Sequence, residues 1–191
     1  MPKLVILLVV ILLIVSSLFI FLGLKSRQTK NNPEKTEREE IMKVTSPVFT
    51  QEEQMPEDYT CDGENVNPPL NIVNLPAGTQ SLAIIVDDPD SPAGNFTHWL
   101  VWNINPQTKE IMEDSVPENA VVGTNDFKKM EYDGPCPPSG THRYVFKVLA
   151  LGTKLELGEG ATREELDEAM DEHVLDSAEL IGLYSHKESP K

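Results

Sequence analysis

The chain has 191 residues, 16 Lys+Arg against 31 Asp+Glu, and a net charge of −15. That is room for one ordinary domain with an appendage. So acidic a chain is repelled by nucleic-acid phosphates and by anionic membrane surfaces, which excludes both as electrostatic partners.

Residues 4–24 carry no charge, and only Ser16, Ser17 and Gly23 interrupt their aliphatic run. The run is long enough to cross a bilayer as one helix. A secretory signal would have a shorter apolar region and a small-residue cleavage site, whereas this run ends Phe21-Leu22-Gly23-Leu24-Lys25. Residues 1–24 are therefore expected to be a single-pass anchor, with a cleaved signal as the rival. Lys25, Arg27, Lys30 and Lys35 follow the span, and Glu34, Glu37, Glu39 and Glu40 dilute them. The basic cluster after the span would favour a cytoplasmic domain. Its dilution, and the export that often follows a single N-terminal span, lead us to expect the extracytoplasmic side, with the cytoplasmic one as the alternative. Residues 25–43, almost free of apolar side chains, read as a charged tether, and the domain is expected over 44–187.

Pro47-Val48-Phe49 opens that domain as a short strand, and a turn-rich stretch follows to Pro69. Leu70 to Leu75 reads as a second strand. Ser81 to Val86 is continuously apolar between turn residues, the pattern of a strand buried on both faces. His98 to Ile104 is another strand, and Ala120-Val121-Val122 a weak one. In Arg143 to Leu151, Tyr144, Phe146 and Val148 share a face opposite Lys147. Thr162 and Glu165 form a capping box. Leu166, Ala169, Met170, His173, Val174 and Ser177 then recur at helical spacing, with His173 in the core stripe and Gly182 as the stop. Leu180 to Tyr184 adds a last strand. Many short strands with Pro/Gly turns predict a β-rich sandwich or barrel.

Two turns carry the chemistry. Asp87-Asp88-Pro89-Asp90 closes the most buried strand, and His98 returns eight residues later. A carboxylate accepting an imidazole N–H would fix the ring's tautomer and keep its other nitrogen available. The second turn, Gly134 to Thr141, leads into His142 and Tyr144. These two share a face, while Arg143 points away. Cys61 and Cys136 each sit in a Gly/Pro-rich loop. They read as unrelated buried residues, a disulfide between the loops, or a reactive thiol. No G-x-S-x-G elbow, zinc spacing or nucleotide loop is present, so no cofactor and no metal are expected. A hydrolase could still be drawn with Asp88 and His98 as a base pair on water.

Five ordered blocks resemble the phosphatidylethanolamine-binding protein family in its prokaryotic Raf-kinase-inhibitor-like branch. They are C-D-G-E-N-V-N-P-P-L (61–70), D-D-P-D-S-P (87–92), T-H-W-L-V-W-N-I (97–104), G-P-C-P-P-S-G-T-H-R-Y-V-F (134–146) and A-E-L-I-G-L-Y (178–184). The resemblance implies a mostly β fold: a sandwich of a large central antiparallel sheet and a smaller one, with one or two peripheral helices. It also implies a pocket for a phosphate-like or carboxylate anion, lined by Asp88, with Asp90 behind it, His98, Gly134, Pro135, His142 and Tyr144. The Gly134-Pro135 backbone would cradle an anion oxygen. Eukaryotic members carry a C-terminal helix near the pocket mouth, which is not expected here after Tyr184, and often have Pro where Cys136 stands. The expected function is a membrane-tethered, non-enzymatic binding protein for a small phosphorylated or anionic ligand. An inhibitor acting on a protease or kinase is the alternative partner role.

Overall fold

A computed structural model describes residues 41–186, which lie within one compact unit, Glu40–Lys191. The expected span at 4–24 and most of the tether fall outside the described residues. Among those described, no helix is long and apolar enough to cross a membrane.

The strands are β1 (Lys43–Thr45), β2 (Glu53–Gln54), β3 (Leu70–Val73), β4 (Ser81–Asp88), β5 (Phe96–Ile104), β6 (Glu110–Ile111), β7 (Val121–Val122), β8 (His142–Leu151) and β9 (Val174–Tyr184); helix α1 is Arg163–Met170. They form a three-stranded sheet, β1-β3-β6, and a six-stranded sheet, β2-β9-β8-β4-β5-β7. All pairings are antiparallel except β2 with β9. This is the mostly β, two-sheet architecture with one peripheral helix.

The apolar run of β4 is buried from Ser81 through Val86 because both of its faces are covered. Leu82, Ile84 and Val86 join Trp99, Tyr144 and Phe146 in the main core, while Ala83 and Ile85 join Leu100, Trp102, Leu166 and Met170 in a second core under α1. Each fully buried side chain of this size contributes about 1.5–3 kcal/mol.

Three elements depart from the sequence reading. Residues 47–49 form no strand; the first strand is β1, and Phe49 instead plugs the core. The helix ends at Met170, with Asp171 as its C-cap and Glu172 at a φ of 63°. Val174 and Ser177 belong to β9, which pairs with β8 along its length, and His173 is exposed rather than core. The backbone hydrogen bonds offered by β8 outweigh three more residues of helical periodicity. Gly182 lies inside β9, not at a helix stop. A Cβ there would meet Met55 at 2.4 Å, so glycine is required by close packing.

β5 carries a bulge where it matters most. Val86 pairs with Trp99 and Asp87 with Thr97, so His98 has no partner residue on β4. One unpaired residue reverses the side-chain alternation locally. His98 is thereby turned to the Asp88 and Tyr144 side of the sheet.

Candidate functional site

Asp88, at the end of β4, is the fixed point of the site. Its Oδ1 accepts from the Asp90 N–H at 2.9 Å, a local aspartate turn, and its Oδ2 lies 2.7 Å from His142 Nδ1. A carboxylate accepts, so Nδ1–H of His142 donates and Nε2 is the ring's remaining nitrogen. The carboxylate–imidazole pair is therefore Asp88–His142 and not Asp88–His98. Antiparallel pairing of β4 with β8 brings these two strand ends together.

His98 is oriented by a different group. Its Nδ1 lies 2.6 Å from the Asp133 backbone carbonyl, which can only accept, so the proton sits on Nδ1 and Nε2 keeps its lone pair. Burial lowers the His98 pKa below its ordinary value and favours the neutral ring. Phe96, Phe127 and Tyr144 pack edge-on against the imidazole, with centroids 5.4, 5.4 and 5.2 Å away. Asn125 ties the wall together by donating to the His98 carbonyl, the Glu131 carbonyl and the Asp133 carboxylate.

Asp88, His98, His142 and Tyr144 are 4, 3, 7 and 0 % exposed, so the cluster is almost dry. Two buried side-chain groups among the described residues lack a hydrogen-bond partner: the Tyr144 hydroxyl and the Trp99 indole N–H. Asp88 and the Cys136 backbone lie near the Tyr144 hydroxyl and influence it, but neither meets hydrogen-bond geometry; burial raises its pKa and holds the phenol protonated. A buried hydroxyl without a partner costs about 1–3 kcal/mol.

Gly134 and Pro135 follow Asp133 in the chain, and the Gly134 N–H and the Pro135 carbonyl are already engaged. Gly134 N–H donates to Asn65 Oδ1 at 2.7 Å, and the Pro135 carbonyl accepts from Cys61 N–H at 3.1 Å. Proline has no N–H to offer. A Cβ at Gly134 would sit 2.4 Å from the Tyr59 carbonyl oxygen, so the loop can lie this close only as glycine. Cys61 and Cys136 are joined by a disulfide, and both are exposed, which removes the reading as buried, unrelated residues.

Asp90 stands apart. Its carboxylate is held by Arg143 through the backbone N–H, Nε and Nη2, at 2.9, 2.9 and 2.7 Å. The guanidinium lowers the Asp90 pKa to about 2. Arg143 is exposed and points away from the cluster, as strand alternation requires. Asp90 shapes the turn through its N–H while its charge is committed elsewhere. Asp133, Asn125, Phe96 and Phe127 were not signalled by motif or spacing; only Asp133's place beside the Gly134 loop hinted at it.

A two-sheet sandwich with an aspartate, two oriented histidines and an unsatisfied tyrosine buried at one end of its large sheet defines a β-sandwich binding protein. The chain belongs to the phosphatidylethanolamine-binding protein family, whose model matches residues 45–185. It is 49 % identical over 158 residues to a UPF0098 protein of Pyrococcus abyssi, covering 78 % of this chain and 88 % of the relative. It is 45 % identical over 148 residues to a UPF0098 protein of Methanothermobacter thermautotrophicus, covering 75 % and 98 %. Among solved structures, the CT736 homologue from Chlamydia trachomatis matches with a TM-score of 0.74 at 38 % identity, covering 77 % of this chain and 99 % of that one. Escherichia coli YbcL matches with a TM-score of 0.72 at 31 % identity, covering 76 % and 99 %.

Proposed function

We propose that the domain is a non-enzymatic binding protein whose buried cluster takes a small anion, a phosphate monoester or a carboxylate, and that residues 4–24 tether it to a membrane. The observation that carries the reading is the Tyr144 hydroxyl, fully buried and without a partner beside the Asp88–His142 pair. A ligand oxygen at that point would accept from the hydroxyl and recover the cost of leaving it unpaired. Nε2 of His142 becomes a second donor when the ring holds both protons, with Asp88 balancing the charge. His98, proton on Nδ1, offers an acceptor to a protonated ligand oxygen. The chain's negative charge opposes anions at long range, so these local donors must dominate, and affinity is expected on the order of millimolar to tens of micromolar.

The test is a titration of the full-length chain in detergent with phosphoethanolamine, followed by NMR of the histidine ring nitrogens between pH 8 and 6. Saturable shifts at His98 and His142, weakened roughly tenfold by Tyr144→Phe, support the reading. Silence from both rings with phosphate and carboxylate ligands alike overturns it. Phosphoester turnover that disappears in His142→Ala would replace binding with catalysis.

A further inference from the structure

The loop that packs against Tyr144 has a second set of neighbours. The Cys61–Cys136 disulfide is exposed, and its Cα atoms lie 5.4 Å apart. His186, beyond the end of β9, places Nδ1 3.9 Å from Cys61 Sγ. The same nitrogen lies 2.9 Å from the Asp62 carboxylate. The ligand atoms of Cys61, Cys136 and His186 all fall within 4.8 Å of one another. Nothing in the core or in the anion cluster calls for His186.

We propose that this cluster is a redox-gated metal site: once the disulfide is reduced, Cys61, Cys136 and His186 bind a thiophilic divalent ion, for which Zn²⁺ is the best fit. Two thiolates and an imidazole are a soft donor set, and such sets select zinc over the hard cations. A tetrahedral zinc with bonds of about 2.3 Å holds two sulfurs roughly 3.8 Å apart, inside the sphere the three groups already occupy. The fourth position is left to water or to the Asp62 carboxylate. Asp62 also accepts from Tyr184, which anchors it to the last strand.

The chemistry closes. A dithiol supplies two electrons and two protons; the Sγ–Sγ bond breaks, two cysteine thiols form, and the dithiol becomes a cyclic disulfide. Metal binding then releases the two thiol protons as two sulfur–metal bonds form. Oxidation occupies both sulfurs and abolishes the site, so the metal would mark the reduced state of this face. The inference does not depend on the anion reading, since none of its ligands belongs to that cluster.

The experiment uses the full-length chain in detergent, reduced with an immobilised dithiol, separated from it and kept anaerobic. Circular dichroism before titration establishes that the reduced domain is folded. Co²⁺ is then added as a spectroscopic stand-in for zinc. The reduced protein should take one equivalent, with a thiolate-to-cobalt charge-transfer band and the visible bands of tetrahedral cobalt. Zn²⁺ should displace it stoichiometrically, and the oxidised protein should show neither band. His186→Ala, at an exposed position near the chain end, should fold normally and weaken cobalt binding roughly tenfold or more, with altered visible bands. Loss of the fold on reduction, absence of a charge-transfer band, or unchanged affinity and spectrum in His186→Ala would each overturn the proposal.

Discussion

Asp87 and Asp88 are neighbours in the chain and face opposite sides of the large sheet. Asp87 looks toward α1, where it accepts from Thr97 and from Arg163, whose guanidinium also holds Asp167. Asp88 looks toward the buried cluster, where its pair with His142 closes but the tyrosine beside it does not. Every polar group named on the first face has a protein partner; the second retains a hydroxyl with none. A region whose polar groups are all satisfied serves the fold. A dry region with a donor left over is disposed to accept something from outside.

That difference can be tested by mutation, starting with the largest effect. Leu166→Ala removes the fully buried anchor of α1 and should cost about 2–5 kcal/mol. Chemical denaturation should show that loss, while the histidine ring signals stay where they were. Asp88→Ala strands the buried His142 N–H and the Asp90 N–H, and should cost about 1–3 kcal/mol. It should also abolish phosphoethanolamine shifts at both rings. Asp87→Ala removes a largely buried carboxylate that holds the Thr97 hydroxyl and Arg163, and should cost about 1–3 kcal/mol even though Arg163 keeps Asp167. If Asp87→Ala impaired ligand binding as strongly as Asp88→Ala, the division between the two faces would collapse.

Tyr144→Phe should change stability by less than about 1 kcal/mol, since the hydroxyl removed has no partner to abandon. Its effect should fall on ligand affinity instead. A clear loss of stability without ligand would mean that the hydroxyl is structurally satisfied.

pH divides the molecule in the same way. The folded-state pKa of His98 is lowered by burial, so the unfolded chain binds the proton more readily. Stability from this group is present above the unfolded value near 6.5 and is lost as pH falls below it. Urea midpoints should therefore decline on acidification through that range, and His98→Gln should flatten the decline. Asp90 is the weaker case. Its pKa of about 2 means its contribution is present above the unfolded value, near 3.9, and is lost as pH falls towards 2. Its pair with Arg143 is half in solvent, so Arg143→Ala should barely move the midpoint at pH 7.

Much of this was legible in the chain. The continuous apolar run of β4 announced a strand covered on both faces, and the alternation in β8 put Tyr144 and Phe146 on one side. The capping box at Thr162 marked the helix start to the residue. What failed depended on distant pairing. The stripe through Val174 and Ser177 was helical in spacing, yet only the presence of β8 decides that those residues extend. Proximity in sequence suggested Asp88 with His98, but a strand register spanning 54 residues gives Asp88 to His142. The bulge that turns His98 inward has no local signature. The Asp133 carbonyl that fixes its tautomer is a backbone atom, which no side-chain motif can reveal.

One feature of the large sheet bears on how copies of this protein tolerate one another. β5 is the more sheltered flank: beyond β7, residues 123–133 return hydrogen bonds to Thr97, His98 and Leu100. At the other flank, β2 pairs with β9 at Gly182 and Leu183 and the Glu52 N–H reaches the Ile181 carbonyl, so among the described residues no strand continues the ladder of β9 beside Val174–Leu180. Val174 and Leu175 are exposed there, an invitation to edge-to-edge self-association. Asp176 punctuates that stretch, while Glu179 is ion-paired with Lys147 of β8. A second copy docking alongside in antiparallel fashion would have to bury the Asp176 carboxylate at the new seam, the kind of charge by which natural sheets discourage edge-to-edge pairing.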